Sequence, residues 1–554
     1  MTEEKPRLEP ASDGYQVFYR NRRLYTPHGP RAGAVRRATA ARPDPGTLIL
    51  AASPLLGYGI AELLDAAPAD TVVLAVEFDS SLAELTRRAA EEEFGHLAEQ
   101  DPRLVLLLAP SAEELEQTVQ SLLRRRPRRT RLVTLSGGFG LQAERYRALQ
   151  SHIDREIRIY WQNTMTRVQM GRLWIRNVLR NLPLVPTATP TETLYRRVPT
   201  VVVGAGPSLD EKVALLPPDG HPRRRHLRIL AVDTAAAPLA ARGVTPDLVL
   251  AVESQQANAA DFLGTPLSRP DCPTQLICDL SAYPGSTHAV APERLSFVSS
   301  RFASTILLDR LDESRVRPMS VPPLGSVGVL AVHLARRLGG EPVYLMGLDF
   351  AYDLERTHAR GAPMHTLNLL RRTRTDPSPF FDLALSRPLI RQEDKRGRSV
   401  RTDTVLFSYA EQLQSVVREA GAVYDLSPDH GLPTGAPGAG APEAGAIGAT
   451  PQDTPHTIRA TEAVEAVFES EGERIDELCA ELRPALETAG TAERVAEGHY
   501  ERLMPLLDRC DYVYLDFPDA PAPTRAFLGR VLLSALSYRD RLRRALLLLH
   551  RVRG

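Results

Sequence analysis

Lysine is nearly missing from this chain. Among 554 residues only Lys5, Lys212 and Lys395 occur, so arginine makes up all but three of the 68 basic residues. That scarcity argues against Schiff-base and P-loop chemistry, each of which needs a placed lysine. It leaves arginine, whose planar fork suits carboxylates and phosphates. Cysteine is also scarce. Cys272, Cys278, Cys479 and Cys510 form no C-x-x-C pair and have no zinc spacing, so a reduced, cytoplasmic protein without a metal site is expected. Charge of one sign is lacking too, with 68 acidic residues against 68 basic ones. No global field favours nucleic acid or an acidic membrane. The arginine runs at 124–131 and 223–228 read as solvated faces. Long hydrophobic runs are absent: "ALLLLH" is too short to span a bilayer, and "MTEEKPRLEP" has no signal-peptide core. No G-x-S-x-G, H-E-x-x-H, P-loop or kinase signature appears.

What is present is an α/β rhythm that runs twice. "TLILAAS", "TVVLAVEFD", "RLVLLLA" and "RLVTLS" are continuous apolar runs separated by amphipathic helical patterns, which predicts a parallel sheet in an N-terminal α/β domain over 1–136. Residues 137–195 hold helical spacing with no strand run and read as a connector, with Trp161 and Trp174 as core residues. The rhythm restarts with "TVVVGAG", "LRILAVD", "DLVLAVE", "TQLICDL", "LSFVSS" and "PVYLMGLDF", giving a central domain over 196–430. The composition of 431–455 predicts a flexible Gly/Ala/Pro linker, and 456–554 a C-terminal helical domain. The predicted fold is therefore α/β: two Rossmann-like parallel-sheet domains joined by a helical connector, plus an all-helical C-terminal domain.

The central domain carries polar or glycine residues at successive strand ends, where parallel sheets bind ligands. In "VVVGAGPSLD" the first strand ends on Gly204, Gly206, Pro207 and Ser208. The glycines would let the backbone approach a ligand, Ser208 would cap a helix, and the loop amides would favour a phosphate. Leu209 replaces the third glycine of a dinucleotide fingerprint and reads as a helix anchor. Further strand ends carry Asp233 with Thr234, then Glu253, then Asp349 with Tyr352 just beyond. The carboxylates would hold ribose or base, or else cap helices. Gly325 and Ser326 in "PPLGSVGVL" form a second small-residue loop entering a helix. His358 and His365 follow Asp349 in a polar segment and are the candidate acid–base residues, with Asp349 beside them.

Several blocks in order resemble the Maf family, the motility-associated factors. They are "VVVGAGPSLD", "ILAVDTAAAPLAARGVTPDLVLAVESQ", "GSVGVLAVHLARRLGGEPVYLMGLDFAYDLERTHARG" and "VYDLSPDHGLPTGA", with "NTMTRVQMGRLWIRNVLRNL" and "ASPLLGYGIAELL" before them. This resemblance implies transfer of a nonulosonic acid, pseudaminic, legionaminic or sialic-like, from a CMP-sugar to Ser or Thr hydroxyls of flagellin, with no cofactor required. The same blocks are similar to bacterial sialyltransferases that use CMP-sugars. That similarity gives Gly204, Gly206, Pro207 and Ser208 a nucleotide-loop role, puts Asp233 and Glu253 at the strand ends, and sets Gly325 and Ser326 near cytidine or phosphate. The tyrosine that directly follows the G-x-D-F segment in those enzymes is displaced here by Ala351, which puts Tyr352 out of register. The domain also resembles an archaeal pterin-pathway pyrophosphokinase, which would use ATP and magnesium held by Asp233, Glu253 or Asp349. A non-enzymatic flagellin-binding protein is a third reading.

Overall fold

The computed structural model describes residues 5–90, 97, 100–302, 305–351, 356–375, 388–443 and 461–553. The chain divides into two compact units, Met1–Thr166 and Arg167–Gly554.

The first unit opens with an antiparallel meander, β1 (Arg7–Ala11), β2 (Gly14–Tyr19) and β3 (Arg22–Arg23). A four-stranded parallel sheet follows: β4 (Thr47–Ala52), β5 (Val72–Glu77), β6 (Leu104–Leu108) and β7 (Arg129–Thr134), in the order β6-β5-β4-β7. Every residue of β4 and β5 is buried, which is why both read as unbroken apolar runs and not as alternating strands. The helices between the strands start where a side chain can accept their orphan amides: Asp79 caps Ser80–Ala89 and Ser111 caps Ala112–Leu123.

The second unit is built on an eight-stranded sheet. Its strands are β8 (Val198–Val203), β9 (Arg228–Val232), β10 (Leu248–Ala251), β11 (Gln275–Asp279), β12 (Leu295–Ser300), β13 (Met319–Val321), β14 (Gly340–Met346) and, after a hairpin, β17 (Val423–Asp425). All pairings are parallel, in the order β13-β12-β11-β10-β9-β8-β14-β17. The chain walks from β8 to one edge, then returns to the other side of β8 with β14. The reversal lies between β8 and β14, whose ends are level because Val203 pairs with Met346. A ligand crevice is expected outside the carboxyl ends of these two strands. The hairpin, β15 (Leu389–Glu393) with β16 (Ser399–Asp403), is antiparallel and separate from the sheet.

The two Rossmann-like sheets and the C-terminal helices are thus as the sequence predicts. Three features differ. β13 and β17 have three residues each, too few for a period to register, and the hairpin strands are rich in charged and polar residues, with Thr402 and Asp403 buried. The segment 431–455 reads as flexible by composition, yet its first part is fastened. Asp425 N donates to Pro437 O and Ala439 N to Asp425 O, both at 2.8 Å, and Thr434 Oγ1 donates to the Asp425 carboxylate at 2.8 Å. Leu432 is fully buried. Residues 444–455 lie outside the described residues. Finally, the helices Thr461–Ala489, Glu497–Asp508 and Arg525–Arg553 share one hydrophobic core with the sheet. Glu471, buried on the first of them, accepts from Arg310 Nη1 and from Tyr512 Oη, each at 2.8 Å.

The connector helix spans Ala143–Asn181. Asn177 and Asn181, one turn apart and fully buried, each donate to two carbonyls at the ends of β10 and β11: Ser254 and Ser281, then Leu280 and Ala282. Trp174 is buried against Phe302, and Trp161, half-buried, donates to Pro127 O, so neither is a ligand platform. No helix among the described residues is long and apolar enough to cross a membrane.

Candidate functional site

The loop after β8 is tied to the loop after β14 by contacts that leave no room for side chains. Gly204 N donates to Met346 O and Gly206 N to Gly347 O, both at 2.8 Å. A Cβ on Gly204 would stand 2.5 Å from Gly347 O, and one on Gly206 would stand 2.5 Å from Asp349 Oδ2. Buried Asp349 completes the clasp: its carboxylate accepts from Ser208 N at 2.8 Å and from Ser208 Oγ at 2.5 Å. The glycines allow two protein backbones to approach, and the amides of Gly206 and Ser208 donate inside the protein, while Gly204, Ala205 and Gly206 line a cavity beside the clasp. Ser208 makes no side-chain cap, and the helix it precedes, Leu209–Lys212, is a single turn anchored by fully buried Leu209.

Two cavities flank the clasp. One, of about 350 Å³, is lined by Gly204, Gly206, Thr234, Ser326, Asp349 and His358, among others. The other, of about 510 Å³, is lined by Pro207, Arg356, Arg391, Arg398, Arg401 and His430, among others. Asp349 and Ala351 line both. The helix Val327–Arg337 starts at the smaller cavity, where Ser326, Val327 and Gly328 form the wall. The first amides of a helix have no partner within it and carry partial positive charge, so the anion-favouring end of this cavity is here. Gly325 stands back: a Cβ there would lie 2.5 Å from the Tyr409 ring.

The other predicted residues divide. Asp233 is buried behind the cavity wall. It accepts from Asn258 Nδ2 and from Thr234 N, each at 2.8 Å. Burial, then the neighbouring Asp261, pushes its carboxyl up to about 7. Exposed Glu253 accepts from the amides of Ser254 and Gln255, just before the helix Gln256–Phe262, which has no side-chain cap. Neither carboxylate lines either of these two cavities. His358 lines the smaller cavity, and its Nδ1 lies 3.1 Å from Thr357 Oγ1. Burial, then the charge of His365, lowers its pKa below the ordinary histidine value, so it is neutral at pH 7. His365 is buried on the helix Pro363–Leu370 and lines neither cavity. Tyr352 lies outside the described residues.

The magnesium of a pyrophosphokinase finds little to hold it. Asp233, Glu253 and Asp349 are each engaged by protein donors, and among the described residues no group of three or more His, Cys, Asp or Glu is placed for a metal ion. Burial raises the Asp349 carboxyl above its usual range, opposed by the Ser208 donors and the charges of Lys395 and His430.

Several residues of the site are invisible in sequence. Lys212 and Lys395, two of the three lysines, brace it: Lys212 pairs with Asp429 and Lys395 with Asp425, each at 2.7 Å. His430 Nδ1 lies 3.1 Å from Asp429 on the wall of the larger cavity. Each comes from a segment over 60 residues from Asp349 or from the loop after β8, and only their count, not their place, is legible in one dimension.

The family model "6-hydroxymethylpterin diphosphokinase MptE-like" matches residues 176–355, the span from the end of the connector helix through β14 to the site. A Maf glycosyltransferase from Magnetospirillum magneticum AMB-1 has the same fold with a TM-score of 0.56 and 15% identity, over 98% of this chain and 89% of that one. An uncharacterized protein of Treponema pallidum (strain Nichols) is 27% identical over 535 residues, 93% of this chain and 90% of that protein. Both resemblances read from the sequence are thereby met: an MptE-like domain lies within a chain that has the fold of a Maf glycosyltransferase.

Proposed function

We propose that this protein is a glycosyltransferase of the Maf type, which moves a nonulosonic acid from a CMP-linked donor to Ser or Thr hydroxyls of flagellin in the cytoplasm, without a cofactor. The observation that carries this reading is the cavity at the reversal between β8 and β14. It is walled by the N-terminal end of Val327–Arg337 and by His358, and it adjoins an arginine-lined cavity. A nucleoside monophosphate places one phosphate at the helix end. His358, held neutral, takes the proton of the acceptor hydroxyl as the new bond to the anomeric carbon forms and CMP leaves with the bonding electrons. The Magnetospirillum protein's stated activity, glycosyl transfer, supports the reaction class, and the donor and acceptor are our inference from the sequence blocks.

The MptE-like match favours a second reading, an ATP-dependent pyrophosphokinase acting on a pterin alcohol. The deciding test is intact-mass measurement of flagellin incubated with the protein and a CMP-nonulosonic acid. A mass increase in steps of one sugar-acid residue is the expected result. No increase, together with AMP release from ATP when a hydroxymethylpterin is supplied, overturns the transferase in favour of the kinase.

A further inference from the structure

We propose that Arg391 and Arg401 form a clamp for an oxyanion, either a carboxylate or a phosphoryl group, borne by the same molecule whose nucleotide occupies the smaller cavity. The proposal rests on reading that cavity as a nucleotide site. In the β15–β16 hairpin, Arg391 is the direct cross-strand partner of Arg401. Directly opposed side chains stand with Cβ atoms about 4.5–5.5 Å apart, and like charges so placed repel. Both side chains are exposed, and no carboxylate among the described residues pairs with either. Neighbouring arginines are each paired: Arg398 with Asp394, Arg396 with Asp429, and Arg356 with Asp210. Arg391 and Arg401 have no ion pair or hydrogen-bond partner among the described residues. Glu393, two residues along the same face, and Glu211, which also lines the cavity and faces His430, make no ion pair with either.

Both arginines line the cavity of about 510 Å³, which shares Asp349 and Ala351 with the smaller cavity. Two unpartnered forks on one wall can grip a single planar oxyanion from two sides. A molecule spanning both cavities would place its nucleotide phosphate at Ser326–Gly328 and a second anionic group on the hairpin. A sugar acid supplies a carboxylate there, and a nucleoside triphosphate supplies a terminal phosphate.

Isothermal titration of the full chain and of the Arg391→Ala/Arg401→Ala double variant tests this with four probes: CMP, CMP-N-acetylneuraminate, AMP and ATP. The expected result is that the wild-type protein binds CMP-N-acetylneuraminate more tightly than CMP by roughly ten- to a hundred-fold. The double variant should lose that gap while binding CMP unchanged. Collapse of the ATP-over-AMP gap instead assigns the clamp to a phosphoryl group. Gaps that are equal in both proteins overturn the proposal. If the wild-type chain binds neither CMP nor AMP, the nucleotide reading fails by itself. The clamp is then decided by free N-acetylneuraminate and inorganic pyrophosphate, which must bind the wild type and not the double variant. Lysine at both positions keeps charge and loses the fork, so an intermediate gap is expected. The melting temperature of the ligand-free double variant should hold or rise as repulsion is relieved. A fall assigns the pair a structural role and overturns the clamp.

Discussion

The two parallel sheets of this chain both fasten their strand ends with side chains, and at the central sheet the fastening is flanked by two cavities. At the N-terminal sheet, Ser53 after β4 donates to Glu77 at the end of β5 at 2.5 Å, Tyr146 donates to Val76 O at 3.1 Å, and Ser136 donates to Ser53 O at 2.7 Å. Gly138 packs so closely on Ser53 that a Cβ would collide with its hydroxyl. These strand ends are closed by their own side chains. At the central sheet, the clasp of Ser208 on Asp349 does the same fastening work, but a cavity opens on each side of it. The strand ends of both units are thus fastened by side chains, and at the central sheet two cavities flank the fastening.

The sharpest way to break this comparison is to remove the proposed base. His358→Ala should lower transfer by about 10²- to 10⁴-fold with the melting temperature little changed. In the wild type, the acid limb of the rate should fall below pH 6.5, because burial lowers this histidine's pKa. Paired glycine variants come next. Gly206→Val drives a side chain into Asp349 and Gly347 O, and Gly138→Val drives one into Ser53. Each should cost about 1–3 kcal/mol of stability in chemical denaturation. Only Gly206→Val should also abolish transfer by the molecules that remain folded. If both abolish it, the N-terminal strand ends are part of the site.

The smallest effect concerns Glu77, whose carboxyl burial raises to about 7, partly opposed by the Ser53 donor. Its folded pKa lies above the unfolded value of 4.5, so the protonated form is the one the fold prefers. Its contribution is full below about pH 4.5 and is lost as pH rises through 7. Glu77→Gln should flatten that slope and raise stability above pH 7 by roughly 2 kcal/mol. A variant less stable than wild type at pH 8 would show that the charged carboxylate is what holds the closed strand ends.

Much of this was legible in one dimension because burial on both faces writes strands as apolar runs. β4, β5, β8 and β9 are buried at every position and stand out as such. The reversal between β8 and β14 could be guessed from glycines and acids at strand ends. The roles of those residues could not. Gly206 reads the same whether it faces a ligand or Asp349, and Asp233 reads the same on a rim or behind it. The arginines opposed on the hairpin are legible only once the register of its two polar strands is known.

Titration of CMP onto the wild-type chain, onto Ala351→Trp and onto Gly138→Ala tests the central claim most directly. Ala351 lines both cavities, and an indole there fills the space beside Asp349. CMP should bind the wild type and Gly138→Ala alike, and Ala351→Trp should abolish binding. Equal CMP affinity in the wild type and Ala351→Trp would contradict that claim.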